Sequence, residues 1–192
     1  STFAQETEKR DVKNYNAIDV SEGIKVYLTM GKTESVEVVA DEDIIDQIIT
    51  EVSGTELDIY IKGNNWKGWK KKVVVNVTAK AIESIDASSG SSVKTTNTVE
   101  AEKLALSVSS GAHLNVDLQA SKLVCDASSG AHANLEGEAG MFRADASSGS
   151  HINAEDVKSK RVNADVSSGA HISCHADEEI IAEASSGGSV KY

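Results

Sequence analysis

The sequence of 192 residues contains no proline, and aromatic residues make up only 4% of it. Hydrophobic residues are 40% of the chain, which is sufficient for a core. Because bulky aromatic side chains are scarce, alanine, valine and isoleucine must supply most of the buried surface. The composition therefore predicts a thin, regular interior within one large domain or two small ones.

Cysteine and long apolar runs are also scarce. The two cysteines, Cys125 and Cys174, are too few for a disulfide framework and do not indicate the redox compartment. No stretch approaches the run of about 18 apolar residues that a membrane-spanning helix needs, so we expect no transmembrane segment. Residues 1–5 are not a signal peptide, so the leader of an exported protein would lie outside this sequence.

Positively charged residues are fewer than negatively charged ones. Lysine and arginine number 19 against 30 aspartate and glutamate residues, which gives a net charge of −11. From residue 81 onward the sequence has 16 acidic residues and 8 lysine or arginine residues. Such a surface repels phosphate backbones, so nucleic-acid binding is not expected.

The tripeptide Ser-Ser-Gly occurs six times from residue 88 onward, with glycines 21, 19, 19, 20 and 18 residues apart. These glycines are Gly90, Gly111, Gly130, Gly149, Gly169 and Gly187. Glycine gives the backbone the freedom that a tight corner needs, and serine side chains hydrogen-bond nearby backbone groups. We therefore interpret each copy as a structural corner.

The residues on either side of each glycine alternate between apolar and polar. Positions three, five and seven before the glycine are apolar in every copy except at Glu83, and the position four before it is always polar. The position three after the glycine is apolar, and the position two after it is histidine or serine. This alternation is typical of a strand with one buried face, so each repeat is strand, corner, strand.

These units predict an all-β fold, a single-stranded parallel β-helix (solenoid) with coils of about 20 residues. One unit cannot bury its own apolar face, whereas stacked units can. We predict a single domain over residues 1–192, with an irregular N-terminal β cap over 12–80 and six Ser-Ser-Gly coils over 81–192. Within the cap, residues 41–51 are predicted to form one short helix with four isoleucines on one face.

The chain also resembles a known family. The resemblance is carried by residues 20–28 (VSEGIKVYL), residues 55–59 (TELDI) and residues 85–90 (IDASSG), which open the Ser-Ser-Gly repeats. These segments resemble the putative auto-transporter adhesin, head GIN domain family, which is common in secreted proteins of Bacteroidetes. The similarity covers about the whole chain. It implies a right-handed β-helix, an extracytoplasmic location and an adhesive role, and it supplies no catalytic residues.

The sequence gives no good candidate for an active site. Asp126, Ser128 and His132 lie close together, and the same trio recurs in the next two coils. A catalytic triad is defined by geometry and needs one tuned constellation, whereas this trio is repeated and is divided by a corner. No Gly-x-Ser-x-Gly elbow and no pair of carboxylates stand out. We therefore predict no enzymatic activity and no cofactor.

Histidine occupies the outward position two residues after the glycine in four successive copies. These residues are His113, His132, His151 and His171. In register, their rings would lie about one strand spacing apart, and adjacent imidazoles could chelate zinc, copper or nickel. The alternative is a stacking ladder that stabilises repetitive β-structure. Asparagine forms a parallel ladder two residues on, at Asn115, Asn134 and Asn153.

Residues 62–72 hold both tryptophans and five lysines of an otherwise acidic chain. The segment lies between two strand patterns, which indicates a loop. Exposed tryptophan rings can stack on sugars, and tryptophan with lysine suits anionic glycans or lipid headgroups. The alternative is a hairpin that folds back over the cap. The predicted ligand-binding residues are Trp66, Trp69, Lys67, Lys70 and Lys71.

Together these patterns predict a non-catalytic, extracytoplasmic module (secreted, cell-surface or periplasmic) for adhesion or ligand binding. Its expected partners are glycans or proteins of a cell surface or matrix. Two alternatives stay open: divalent-metal binding through the histidine ladder, and a structural stalk or assembly module. Because no cap pattern follows the last corner, we also expect either homo-oligomers through an open solenoid edge or a further C-terminal element outside this sequence.

Overall fold

A computed structural model describes residues 4–63 and 71–192. These residues form fifteen β-strands of one sheet and a 3-10 helix over Ile45–Gln47, with no α-helix in the described ranges. The predicted fold class is confirmed: the chain is an all-β solenoid of stacked parallel coils of about 20 residues. The N-terminal strands are β1 (Gln5–Arg10), β2 (Ala17–Val20), β3 (Lys25–Met30), β4 (Ser35–Asp41), β5 (Ile48–Ser53), β6 (Glu56–Ile61) and β7 (Val74–Ala79). The strands of the repeats are β8 (Ser84–Ala87), β9 (Ser92–Thr95), β10 (Val99–Val108), β11 (His113–Ala127), β12 (His132–Ala146), β13 (His151–Val166), β14 (His171–Ala184) and β15 (Ser189–Lys191).

Successive coils pair in parallel and in register. His113 at the start of β11 pairs with His132 of β12, and the alignment continues from β12 to β14 apart from local bulges. Within β11 the inside–outside alternation breaks at Ser121 and Lys122, which are both exposed. The chain therefore turns there as well as at the Ser-Ser-Gly corner, and each coil returns to stack on the one before it.

Small and branched aliphatic side chains fill the interior, as the composition predicts. The column five residues before the corner glycine is fully buried in five successive coils. Its members are Ile85, Leu106, Cys125, Ala144 and Ala164. Burial raises the pKa of the Cys125 thiol, which keeps the thiol protonated. Cys174 is buried too.

Each Ser-Ser-Gly corner is a tight turn with two consecutive residues in the left-handed backbone region. Between β11 and β12, Ser129 has a φ of +52° and Gly130 a φ of +69°. Positive φ at both central residues is the signature of a type I′ turn. The Ala131 N–H closes the turn by donating to the Ser128 carbonyl at 3.1 Å. The Gly130 N–H donates to the Ser148 carbonyl of the next coil at 3.0 Å, so the corners also pair with one another.

A seventh corner with the same geometry lies in the N-terminal part. Glu22 and Gly23 have φ values of +62° and +73°. The Gly23 N–H donates to the Ser89 carbonyl at 3.0 Å, in the manner of the later corner glycines. The Ser-Ser-Gly pattern does not identify this corner, because glutamate stands where the later corners have serine.

The stacking order of the coils differs from their order in the chain. The coil of β2 and β3 lies between the coil of β6 and β7 and the coil of β8 and β9. Beyond β6 and β7 the parallel stack ends. There β5 pairs antiparallel with β6, and β4 pairs antiparallel with both β7 and β1. These antiparallel strands cap that end of the solenoid.

The predicted helix over residues 41–51 is wrong. The segment holds only the 3-10 turn of Ile45–Gln47, and β5 follows it directly. Ile44, Ile45 and Ile48 are buried, as their shared apolar character predicts. Ile48, however, begins a strand and pairs with Ile61 of β6. Isoleucine is β-branched and packs well on a pleated surface, so a neighbouring strand favours extension over a helix.

The opposite end of the described stack is open. Residues 179–184 of β14 pair with β13 on one side only. Alternation predicts Ile180, Ala182 and Ala184 to point inward, but Ile180 is half-buried and the two alanines are exposed, because no further described coil covers them. Such an edge offers unpaired N–H and C=O groups to another strand.

We expect Gly130→Ala to lower the free energy of unfolding by about 1–2 kcal/mol, because alanine disfavours the left-handed region. An added Cβ meets no atom within 4 Å, so the loss would come from the backbone alone. Chemical denaturation measures the change. Ser128→Ala, at a turn position outside the left-handed region, is the control and should cost less. Equal losses in both variants would contradict this explanation.

Self-association through the open edge remains a prediction. A second copy of the chain would pair with residues 179–184, so sedimentation should report dimers that increase with concentration. Ala182→Lys places a charge at the edge and should shift the equilibrium to monomer. Asn163→Lys, an exposed position on the interior strand β13, is the matched control and should leave association unchanged. A single monomeric species at every concentration would refute the prediction.

Candidate functional site

The structure brings the four predicted histidines together in one outward column. His113, His132, His151 and His171 occupy the first positions of β11 to β14 and pair in register from coil to coil. Each follows a type I′ corner, which fixes the direction in which the strand begins. The next residue of each strand is buried, so alternation turns the histidine to the outside. We call this set the histidine column.

The imidazole rings stack along the solenoid axis. Successive ring centroids lie 5.2, 5.0 and 4.8 Å apart, with interplanar angles of 17°, 15° and 35°. Each inner ring therefore has its faces covered by neighbours, which leaves the ring edges and their nitrogens for solvent or a ligand. At the last coil, His171 Nδ1 and Ser189 Oγ form a hydrogen bond.

The pKa of His132 is lowered in this arrangement. Its partial burial is the main cause, and the neighbouring His151 and His113 add to it. A stack of neutral rings is favourable, whereas adjacent imidazolium ions repel one another. Stacking therefore favours the neutral form of the His132 ring.

Metal chelation by the column would have to rely on neighbouring pairs. Within residues 4–63 and 71–192, no three histidines bring one ring nitrogen each within 4.8 Å of one another. Structural zinc sites are almost always four-coordinate. A metal ion here would thus take at most two ligands from the column and the rest from solvent or a partner.

A groove runs beside the histidine column on the same outward face. It has a volume of about 320 Å³ and is lined by equivalent residues of four successive strands. These are Lys94, Asn115, Asn134 and Asn153, which pair in register. Asn134 Nδ2 donates to Asn115 Oδ1 at 3.2 Å. The asparagine ladder was predicted from the sequence, but the groove that it lines was not.

Carboxylates form the far wall of this groove. Asp117, Glu136 and Asp156 line it two or three residues beyond the asparagines. Thr98 Oγ1 donates to Asp117 Oδ2 at 3.0 Å, and the Asp117 N–H donates to Thr95 Oγ1 at 2.9 Å, so that this carboxylate is held in place. The acidic residue at the same place in successive repeats was the signal available in the sequence.

A second outward column lies on the strand before each corner and is acidic. Its members pair in register across eight strands. They are Asp58, Asp19, Asp86, Ser107, Asp126, Asp145, Asp165 and Glu183. Burial raises the pKa of Asp126, and the neighbouring Asp145 raises it further, while Arg143 opposes the change. Asp126 and His132 lie on opposite sides of the corner, on β11 and β12.

At the cap, the acidic column widens into a group of three carboxylates. Asp19, Glu56 and Asp58 can each bring one oxygen within 4.8 Å of the other two. Burial, with the charges of Asp58 and Asp86, raises the pKa of Asp19. The pKa of Glu56 is raised as well, first by burial and then by Asp58 and Asp19. Crowded carboxylates favour retention of a proton, which agrees with the raised pKa values of Asp19 and Glu56.

Four of the five residues predicted to bind a ligand lie outside the described residues: Trp66, Trp69, Lys67 and Lys70. Lys71 is described, and its Nζ lies 2.5 Å from Asp43 Oδ1 and 3.3 Å from Asp41 Oδ2. Its hydrogen bond to Asp43 is the main cause of its raised pKa. A ligand would have to compete with these carboxylates for the ammonium group.

The place of this segment in the fold is defined by its flanking strands. It joins β6 to β7, which pair respectively with β2 and β3 of the neighbouring coil. The Ile61 N–H donates to Glu22 Oε2 at 2.5 Å, and the Lys25 N–H donates to the Val73 carbonyl at 3.1 Å. The segment thus joins β6 to β7 at the place where, in the neighbouring coil, the corner of Ser21, Glu22 and Gly23 joins β2 to β3.

The stacked coils and their exposed columns define a β-solenoid repeat protein. The chain belongs to the putative auto-transporter adhesin, head GIN domain family, whose model matches residues 14–192. The resemblance seen in the sequence is confirmed. Membership indicates an adhesion-like role at or outside the cell surface, and it favours binding over catalysis. No functionally curated protein matches the chain in sequence.

Several solved structures share the fold. A putative adhesin from Bacteroides fragilis has a TM-score of 0.88 at 19% identity, with 98% of this chain and 95% of that chain covered. A putative adhesin from Parabacteroides distasonis has a TM-score of 0.77 at 20% identity, with 99% and 98% covered. A putative lipid binding protein from the same species has a TM-score of 0.71 at 16% identity, with 97% and 96% covered. At these identities the likeness concerns the fold alone.

In the described ranges, no helix has the length and apolar character needed to cross a bilayer.

We expect acidification to destabilise the fold through His132. Its pKa is lower in the folded chain than its ordinary value of about 6.5, so the unfolded chain binds a proton first as the pH falls. The stabilising contribution of the neutral His132 ring is therefore present above about pH 6.5, and it is lost as the pH falls through the pKa of His132 in the folded chain. His132→Gln should flatten the fall in melting temperature between neutral and mildly acidic pH.

Asp126→Asn provides a control of opposite sign. The folded pKa of Asp126 is raised, so its ionised form costs stability once the pH rises above that pKa. The Asp126→Asn variant should therefore melt higher than the unchanged chain at neutral pH, with the advantage disappearing in acid. If both variants respond to pH as the unchanged chain does, His132 and Asp126 are not the source of the pH dependence of stability.

Proposed function

We propose that this chain is a non-catalytic, extracytoplasmic adhesion module that binds glycans of a cell surface or matrix. The observation that carries the proposal is the outward face of β11 to β14, where equivalent side chains repeat coil after coil. The parallel backbone holds these side chains at fixed spacing before any ligand arrives, which lowers the entropy cost of binding. Family membership agrees with adhesion.

Two parts of the chain are suited to sugars. The groove beside the histidine column offers amides and carboxylates, which hydrogen-bond hydroxyl groups. The segment with Trp66 and Trp69 offers indole rings, which can stack on sugar faces. Substitutions in the groove and in the tryptophan segment can separate the contributions of these two parts to glycan binding.

The distribution of acids supports binding over catalysis. Glycoside hydrolysis needs one pair of carboxyl groups in different environments at a fixed separation. Here the carboxylates of the acidic column repeat across the strands, one from each, with neighbours such as Asp126 and Asp145 in equivalent places. A repeated arrangement suits a ligand that contacts many coils.

Divalent-metal binding is the second candidate, because the rings of the histidine column lie about 5 Å apart on a rigid sheet. Neutral imidazole is the form that binds metals. A pair such as His132 and His151 would supply two ligands, and a bound glycan or protein would complete the shell.

An array of glycans and matrix proteins, probed with zinc and again with chelator, tests the proposal. Binding that persists in chelator is the expected result. Its loss in the Trp66→Ala, Trp69→Ala double variant would place the site in the loop segment, whereas loss in His132→Ala with His151→Ala would place it at the histidine column. His175→Ala, an exposed histidine outside the column, is the matched control.

Two results would change the conclusion. Binding that requires zinc and disappears in the His132→Ala, His151→Ala variant would favour the metal candidate. An array without binding in either condition would overturn the adhesion proposal and favour a structural stalk or assembly module.

A further inference from the structure

We propose that the groove beside the histidine column binds an extended, uncharged, β-linked polysaccharide that lies parallel to the solenoid axis, with one sugar ring per coil. This inference rests on the proposed function and names the ligand class. It follows from the direction, the chemistry and the period of the groove.

The direction of the groove is along the axis. Its floor is the column of Lys94, Asn115, Asn134 and Asn153, one residue from each of four successive strands. A ligand that enters this groove must cross the strands rather than follow one of them. The site is therefore shaped for a linear chain that spans several coils.

The groups along the groove are those that bind sugar hydroxyls. Asn115, Asn134 and Asn153 each have an amide with two N–H donors and an acceptor oxygen, although one such donor joins Asn134 to Asn115. Asp117, Glu136 and Asp156 on the far wall accept hydrogen bonds from O–H groups. Vicinal hydroxyls act as donors and acceptors at once, so this mixture suits them.

The histidine column lies beside the groove, two residues before the asparagines on the same strands, and is not part of its lining. Because the rings stack on one another, their faces are not available to a sugar, but the nitrogens at their edges are. A neutral imidazole offers one donor and one acceptor. The lowered pKa of His132 is consistent with a neutral ring at physiological pH.

The charges of the groove select against acidic polymers. Three carboxylates face Lys94, so the lining has a net negative charge, and the whole chain carries −11. Uronic acids and sulfated sugars would be repelled. An uncharged hexose or N-acetylhexosamine polymer meets no such penalty.

The period of the groove matches an extended sugar chain. Adjacent coils lie about 4.8 Å apart, and the histidine centroids are separated by 4.8–5.2 Å. An extended β-1,4-linked chain advances by nearly the same distance at each ring, so that one ring lies at each coil, with alternate rings rotated by half a turn and every second ring presenting the same edge. A helical α-linked chain curves away from a straight row. Repeated weak contacts on one ligand then add to a useful avidity.

Calorimetric titration with β-1,4-linked oligosaccharides of glucose, mannose and N-acetylglucosamine, from dimer to hexamer, tests this inference. For at least one sugar, affinity should rise with each ring until the four lining strands are occupied and then level off. Affinity should change little with salt, because the ligand carries no charge.

A pair of variants locates the ligand. Asn134→Ala removes the central amide and should weaken binding of the tetramer by about tenfold, the upper range for the loss of a hydrogen-bonding group. Asn163→Ala, an exposed asparagine on another face of β13, is the matched control and should leave affinity unchanged. Equal melting temperatures of the two variants would exclude a folding defect.

The outcomes separate this inference from the proposed function. Array binding to charged or terminal sugars, or glycan binding that Asn134→Ala leaves intact, would overturn the groove assignment while leaving the adhesion module standing. Affinity that is independent of oligosaccharide length would also overturn it. An array with no glycan or protein ligand would remove both.

Discussion

Parallel, in-register pairing of successive coils is the constraint on which the rest of this structure depends. Once His113 pairs with His132, each further paired position of β11 has a fixed partner on β12, and most partners are residues of the same kind. A residue type that suits one coil can therefore recur at the equivalent position of the next coils and form a column. Aliphatic residues inside complete a continuous core, and a repeated polar residue outside becomes a row with a fixed period. The type I′ corners maintain this register, because they pair with one another through glycine N–H groups.

The same constraint has a cost. A column of identical ionisable groups places like charges about one strand spacing apart. Burial is the main cause of the raised pKa values of Asp19 and Asp126, and repulsion from neighbouring carboxylates raises them further. Ser107 interrupts the acidic column in one coil and removes one such contact on each side. The histidine column avoids the problem when its rings are neutral. His132, whose pKa is lowered, and Asp126, whose pKa is raised, therefore affect stability in opposite directions as the pH falls.

The repeats could be predicted from sequence because one observation, the spacing of Ser-Ser-Gly, fixes both the coil length and the phase of the alternation. The buried positions and the histidine column follow from it directly. The cap could not be predicted in the same way. Its coil of β2 and β3 is inserted between coils that come later in the chain, and its corner has Glu22 in place of serine. The isoleucines of residues 44–49 fit a helix or a strand, and only the presence of β6 decides between them.

The groove could be predicted from the sequence only in part. Its asparagines were visible as a ladder, but its walls come from residues whose positions depend on local irregularity. The pairing of β12 with β13 shifts after Asn134, so that Glu136 lies opposite Asp156 rather than the residue that strict spacing gives. A bulge of this kind re-aims side chains at the surface and interrupts an otherwise uniform ladder. A regular solenoid thus supplies the period of the groove, and the bulge determines that Asp156 rather than Glu155 lines it. A ligand that repeats with the period of the coils can contact the asparagine of each coil in turn, and the groove keeps the ligand on that row.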